Sequence, residues 1–148
     1  MNMIFREATS KDASQMLWVR NSVNENKLTD PNSILAEDVV VFLNIKGKGW
    51  VCEIKNEVVG LAMVNLKECN IWALFVDPTH EGLGIGRQLH DMMLNWYFEQ
   101  KKDKLWLGTS PKTRAEKFYK KCGWTNMGMH SDYELKFEMT YDCWQKLN

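Results

Sequence analysis

The chain has 148 residues, enough to bury a real core and the ordinary size of one domain, so residues 1–148 are expected to form a single domain. Lysine plus arginine and aspartate plus glutamate both number 19, which leaves no basic excess to draw the chain onto a phosphate backbone and excludes nucleic acid as the expected partner. No apolar run approaches the roughly 20 residues of a membrane helix, and the first residues lack the layout of a signal peptide, so the expectation is a soluble, cytoplasmic protein with no membrane partner.

Ile4 to Glu7 reads as a short strand. Thr9 and Ser10 then offer cap hydroxyls to a helix in which Ala13, Met16, Leu17 and Arg20 recur at helical spacing. A second helix is expected from Ser33 to Asn44, with Leu35, Val39, Phe42 and Leu43 on one face, although Val39-Val40-Val41 would suit a strand equally well. Trp50 to Ile54, the turn Lys55-Asn56-Glu57, and Val58 to Val64 read as a hairpin. Asn70 to Val76 is the next strand, ended by Asp77-Pro78 because proline cannot donate to a ladder. A Gly-rich turn opens a helix from Arg87 to about Gln100, whose Leu89, Met92, Met93 and Trp96 form an apolar stripe. Leu105 to Leu107 is a short buried strand. A helix from Thr113 to Lys121 follows, with Ala115, Phe118, Tyr119 and Cys122 on one face and Gly123 as its C-terminal cap. Trp124 to Met129 and Glu134 to Met139 are the last two strands, the second alternating apolar and charged residues. The strand-helix-strand unit in the middle predicts a parallel, right-handed crossover.

The turn Gly82-x-Gly84-x-Gly86 follows a strand and opens a helix, so its free N–H groups and the helix dipole make an anion cradle, with small residues allowing close approach. It contains neither Gly-x-Gly-x-x-Gly nor Gly-Lys-Ser/Thr, which removes the dinucleotide fingerprint and the P-loop. On the glycines alone, a plain capped turn fits equally well.

The flanking residues decide between these readings. Leu74-Phe75-Val76-Asp77-Pro78, followed by Gly82-Leu83-Gly84-Ile85-Gly86-Arg87-Gln88-Leu89, resembles motif A of the GNAT acetyltransferases, written Gln/Arg-x-x-Gly-x-Gly/Ala. Ala115-Glu116-Lys117-Phe118-Tyr119-Lys120-Lys121-Cys122-Gly123-Trp124 resembles the family's Ala-x-x-x-Tyr-x-x-x-Gly-Phe segment. With the order of elements, this resemblance implies an α/β fold: a mixed, mostly antiparallel sheet of six or seven strands, helices on both faces, and Asn70–Val76 splaying from a parallel neighbour at Leu105–Leu107. It also implies acetyl-CoA as cosubstrate. Pantetheine would lie against Leu74, Phe75 and Val76, and the pyrophosphate on backbone N–H groups of Gly82, Leu83, Gly84, Ile85, Gly86 and Arg87. Three positions depart from the family pattern. Glu81 stands where the motif opens with Gln or Arg. Lys112 stands where many relatives carry an Asn, so Ser110 or Lys112 would take over that cofactor contact. Gly108 stands where N-terminal acetyltransferases of the family carry a catalytic Glu.

Acetyl transfer to an amine needs a neutral nucleophile, a polarised thioester carbonyl and a proton for the departing thiolate. Tyr119 matches the family's general acid, with a packed aromatic on an apolar helix face as the competing reading. Glu53, Glu68, Asp77 and His80 are conceivable bases but read as turn or surface charges, so no base is named. His80, His90 and His130 lack metal-ligand spacing, and His90 is expected on a helix surface. No metal site is expected, and the four cysteines read as free thiols, Cys122 as a packed one. Trp50, Trp72, Trp106 and Trp124 read as core. The expected activity is acetylation of a primary amine of a small molecule, peptide or protein by direct attack; the alternative is a non-catalytic acyl-CoA sensor. Loops 21–34 and 126–133 would choose the acceptor, and Asp30, Glu37, Asp38 and Asp132 are candidates to attract a cationic amine. Oligomeric state stays open, a homodimer included.

Overall fold

The computed structural model describes residues 2–148. Among these, β1 (Met3–Glu7), β2 (Gly47–Ile54), β3 (Glu57–Asn65), β4 (Asn70–Val76), β5 (Leu105–Thr109), β6 (Thr125–Met129) and β7 (Leu135–Met139) form one seven-stranded sheet in the order β1-β2-β3-β4-β5-β7-β6. Every neighbouring pair is antiparallel except β4 and β5. The expected mixed, mostly antiparallel sheet is therefore present, with its parallel pair where the crossover put it.

The helices are α1 (Ala13–Ser22), α2 (Ala36–Val41), α3 (Ile85–Gln100), α4 (Arg114–Lys121) and α5 (Tyr141–Leu147). They divide between the two faces of the sheet. On one, Met16 and Val19 of α1 and Val39 of α2 pack with Val51, Leu61, Met63 and Ala73. On the other, Leu89, Met93 and Tyr97 of α3, Tyr119 of α4 and Trp144 of α5 pack with Ala62, Val64, Leu105, Leu107 and Phe137. Because β3 is covered on both faces, its sequence is a nearly continuous apolar run with no alternation. The β2–β3 turn is tight: Lys55 and Asn56 both have positive φ, 52° and 66°, as a two-residue hairpin loop with the sheet's twist requires.

Four expectations need correction. The second helix does not run from Ser33 to Asn44. Pro31–Ser33 is a 3-10 turn, α2 begins only at Ala36, and a π turn at Phe42–Lys46 ends it. Its start is fixed by Asp38, whose carboxylate accepts from Leu35 N–H at 2.7 Å. The C-terminal helix α5 was not expected. It is capped by Thr140, whose hydroxyl accepts from Cys143 N–H at 3.1 Å, and it is too short to show a repeating stripe. Trp72 is a surface residue stacked on Phe42 at 4.5 Å between ring centres, and Trp106 is only partly buried, so only Trp50 and Trp124 of the four named tryptophans belong to the core. His90, expected on a helix surface, is fully buried.

Candidate active site

β4 and β5 are joined only where they begin. Asn70 is paired with Trp106, Trp106 N–H donates to the Cys69 carbonyl at 3.0 Å, and the Asn70 side-chain amide donates to the Trp106 carbonyl at 3.3 Å. Beyond that point β4 stays with β3 and β5 stays with β7, Leu105 to Thr109 pairing fully with Met139 to Leu135. The two parallel strands therefore splay, and the β5-facing edge of Leu74, Phe75 and Val76 is left without ladder partners. A cavity of about 340 Å³ occupies the gap, reaching Leu74 and Phe75 on one side and Leu107 and Gly108 on the other. Leu74 and Val76 belong to the α3 face and Phe75 to the α1 face, so the opening passes through the sheet.

On the α3 face the cleft runs past Leu74, Val76, Gly86, Ala115, Phe118 and Tyr119. The Gly-rich turn lies at its mouth. Gly82 and Gly84 have φ of +79° and +80°, a left-handed backbone that favours glycine, and Gly84 is the N-cap of α3. The Gln88 N–H bonds back to the Gly84 carbonyl at 3.1 Å, so the N–H groups of Ile85, Gly86 and Arg87 precede the first helical bond. The buried Ile85 side chain anchors the turn to the core, while Leu83 is exposed. Arg87 is held on the helix surface by Asp91 at 3.3 Å. Glu81 does not stand as an unpaired charge beside the turn: it is ion-paired with Arg114 at the start of α4.

Around α4, Ser110 lines the cleft. Lys112 instead occupies a left-handed turn, φ 61°, with its N–H donated to Glu116 at 2.8 Å. Thr113 caps α4 by accepting from Glu116 N–H at 3.3 Å. Tyr119 lines the cleft with its ring packed on Phe118, Trp124 and Phe137. Burial pushes its phenol above the ordinary value, with a further rise from Cys122. Behind it, His90 accepts from Trp124 Nε1 at 2.9 Å through Nε2, which leaves Nδ1 to donate to Asp91 at 2.8 Å. Burial lowers the His90 pKa, opposed by Asp91 and reinforced by Arg87. The imidazole thus ties α3 to the chain leaving α4.

The loop after α1 lines the α1 face of the cleft. Asn26 straps it down: its carbonyl oxygen accepts from Ser110 N–H at 2.9 Å and its amide donates to the Thr109 hydroxyl at 3.2 Å. Glu25 accepts from Arg114 N–H at 3.0 Å, and Lys27, Leu28 and Thr29 line the cavity. Two of the acids considered for drawing in an amine serve as local caps, Asp30 accepting from Asn32 N–H at 2.9 Å and Asp38 from Leu35 N–H.

Two cleft residues were missed in the sequence. A Cβ on Gly108 would lie 2.9 Å from Glu134 Oε1 and 3.1 Å from His130 Nε2, so the space a β5 side chain would fill holds a carboxylate and an imidazole from the β6–β7 hairpin. Glu134 also lines the cavity and sits 3.5 Å from His130. The signal was the glycine: its φ lies outside the left-handed region, so backbone geometry does not explain it. The second is Arg20, whose signal was a cation on an otherwise apolar helical stripe.

Comparison with known proteins agrees with this architecture. The N-acetyltransferase of Staphylococcus aureus Mu50 superposes with a TM-score of 0.79 at 17% identity, over 95% of this chain and 99% of that one. The paia N-acetyltransferase of Thermoplasma acidophilum, solved with coenzyme A, gives 0.78 at 14% identity over 95% and 100%. YncA of Salmonella typhimurium, solved with its cofactor acetyl-CoA, gives 0.79 at 15% identity over 96% and 95%. No curated protein sequence matches the chain. The family model for the acetyltransferase (GNAT) family matches residues 10–124, from the start of α1 through α4, and the chain belongs to that family.

Proposed function

We propose that the protein is an acetyl-CoA-dependent N-acetyltransferase that transfers an acetyl group directly to a primary amine. The observation that carries this reading is the gap between β4 and β5, with the Gly-rich turn at its mouth and Tyr119 on its wall. The coenzyme A and acetyl-CoA present in two structural neighbours support it. Acetyl-CoA supplies the activated acetyl group. Leu74, Phe75 and Val76 hold the pantetheine through their open main-chain edge, and the N–H groups of Gly82 to Arg87 hold the pyrophosphate. Ser110 is better placed than Lys112 to add a contact. Tyr119 donates the proton that neutralises the departing thiolate, and Glu134 takes the proton of the attacking amine.

A second reading, an acyl-CoA sensor, has one observation in its favour: the burial that raises Tyr119 also makes it a weaker acid. Thiol release from acetyl-CoA with a panel of amino acids, polyamines, aminoglycosides and peptides separates the two. Turnover is expected, and Tyr119→Phe should lower kcat by about a hundredfold to ten-thousandfold while the acetyl-CoA-induced rise in Tm survives. Cofactor binding with no turnover would leave the sensor standing. A Tyr119→Phe variant that melts early yet turns over at the native rate would remove the general acid.

A further inference from the structure

The chain has four arginines, and three of them hold carboxylates. Arg6 bonds Asp12 at 2.8 Å and Glu53 at 3.0 Å, Arg87 bonds Asp91 at 3.3 Å, and Arg114 pairs with Glu81. Arg20 differs. No described residue forms an ion pair with it, and its Nη1 is buried with no hydrogen-bond partner. Burial accordingly lowers its pKa, with no compensating charge.

A cation in this position is costly unless something completes it, because buried charges are normally paired. The Arg20 guanidinium lies 4.1 Å above the centre of the Phe75 ring, on the wall of the cleft that β4 provides. The helix would be served as well by leucine or methionine there, since Met16 and Val19 beside it are fully packed. Retaining arginine sacrifices stability for a charge at the cleft.

The other charges lining the cavity fix what that charge is for. They are Lys27, from the loop strapped down by Asn26, and Glu134, over Gly108 on the β5 side. Phe75, with Arg20 over it, lies on the α1 face of the sheet, opposite the face where Gly86 and Phe118 line the cleft. Two cations thus mark the β4 side and the loop after α1, and a carboxylate marks the β5 side. That distribution suits a molecule with a negative group at one end and an amine at the other.

We propose that Arg20, assisted by Lys27, binds an anionic group carried by the acceptor, a carboxylate or a phosphate, and so selects acidic or zwitterionic amines over simple cationic ones. This rests on the reading of the cleft as an acetyl-transfer site. Arginine suits the role because its planar donor set matches both anions and its charge persists at any working pH.

Matched acceptors test it: each amino acid against its decarboxylated amine, and phosphoethanolamine against ethanolamine. The native protein should prefer the anionic member of one pair in kcat/KM by roughly tenfold to a hundredfold, the pair that responds identifying the anion. Arg20→Gln should erase that preference through KM and melt no lower than the native protein. Arg20→Lys should retain part of it. A readout that needs no turnover runs alongside: with CoA saturating the Gly-rich turn, inorganic phosphate, and succinate as a carboxylate probe, should raise the Tm of the native protein further and not that of Arg20→Gln. If the native protein acetylates no amine, the transferase reading fails, and the anion-induced shift alone then decides whether Arg20 is an anion site. Equal use of both members of every pair, a preference that survives Arg20→Gln, or equal anion shifts in both proteins would overturn the proposal.

Discussion

The two ends of the cleft are built from different materials. At the end proposed for the cofactor the groups on offer are backbone: the unpaired edge of β4 and the first N–H groups of α3, held in place by glycines and by the buried Ile85. At the end proposed for the acceptor they are side chains from separate parts of the chain, Arg20 on α1, Asn26 and Lys27 on the following loop, and Glu134 beside β7. A backbone site depends on a local run of residues and tolerates change elsewhere. A side-chain site depends on long-range folding and can be respecified one residue at a time. Substitutions at the two ends should therefore fail differently, one losing the cofactor altogether and the other losing rate or choice of acceptor.

The largest effect is expected at Gly86. Its φ is outside the left-handed region, and an added Cβ would meet only Val76 Cγ2 at 3.6 Å, so the empty fold accepts a side chain there. Gly86→Val should leave the Tm of the free protein within a few degrees and abolish the rise caused by acetyl-CoA, which for a ligand at a hundred times its Kd is worth about 2.7 kcal/mol. Gly84 is a poorer probe, since at φ +80° any other residue carries strain of about 1–3 kcal/mol. A Gly86→Val protein that still responds to acetyl-CoA would break the comparison, because the turn would then not be the anchor.

This division also explains what could be read in advance. The proposed cofactor end could be picked out in the sequence because its residues are contiguous: a strand, Asp77-Pro78, three glycines and an apolar helical stripe all lie between Asn70 and Trp96. The order of elements gave the parallel pair and its crossover for the same reason. The acceptor end was not legible, since Arg20, Asn26 and Glu134 come together only through folding, and each reads locally as a helix residue, a loop amide or a hairpin charge. Glu81 looked like a repulsive neighbour for a polyphosphate because its partner Arg114 is 33 residues away. His90 was misplaced because a histidine beside Asp91 and near Arg87 looks solvated, and only Trp124 and Trp144, contributed by later elements, close over it.

A smaller, graded effect is expected at Glu134. Glu134→Gln removes the proposed base while keeping size and hydrogen bonding, so kcat should fall by about a hundredfold or more, with acetyl-CoA binding intact and the loss partly recovered at high pH, where more of the amine is already neutral. Gly108→Ala approaches the same point from the other strand. Its Cβ would press on the Glu134 carboxylate, the far end of a flexible chain, so the protein should fold and lose less rate than Glu134→Gln. Native kcat and an unchanged pH profile in Glu134→Gln would remove Glu134 as the base.

The smallest effect concerns how the cofactor end is held from behind. His90 is buried among Phe118, Tyr119, Trp124 and Trp144, accepts from Trp124 and donates to Asp91, an arrangement that uses the neutral ring. Burial sets its folded pKa below the ordinary value near 6.5. Below that pH the unfolded chain takes up a proton that the folded chain refuses, and stability rises with pH wherever the unfolded state binds more protons. The full contribution of a neutral His90 is thus present above about pH 6.5 and is lost progressively as pH falls below it, by about 1.4 kcal/mol for each pH unit until the folded pKa is reached. Native protein should lose more unfolding free energy between pH 7.5 and pH 5.5 than His90→Gln, whose side-chain carbonyl can still accept from Trp124 but takes up no proton. Because His90 joins α3 to the chain leaving α4, acetyl-CoA binding should weaken over the same window, while the anion response of Arg20, on the opposite face of the sheet, should not. Equal losses in the two proteins would show that His90 does not carry this pH dependence, and a loss of anion binding that tracks the loss of cofactor binding would show that the two ends are not independent.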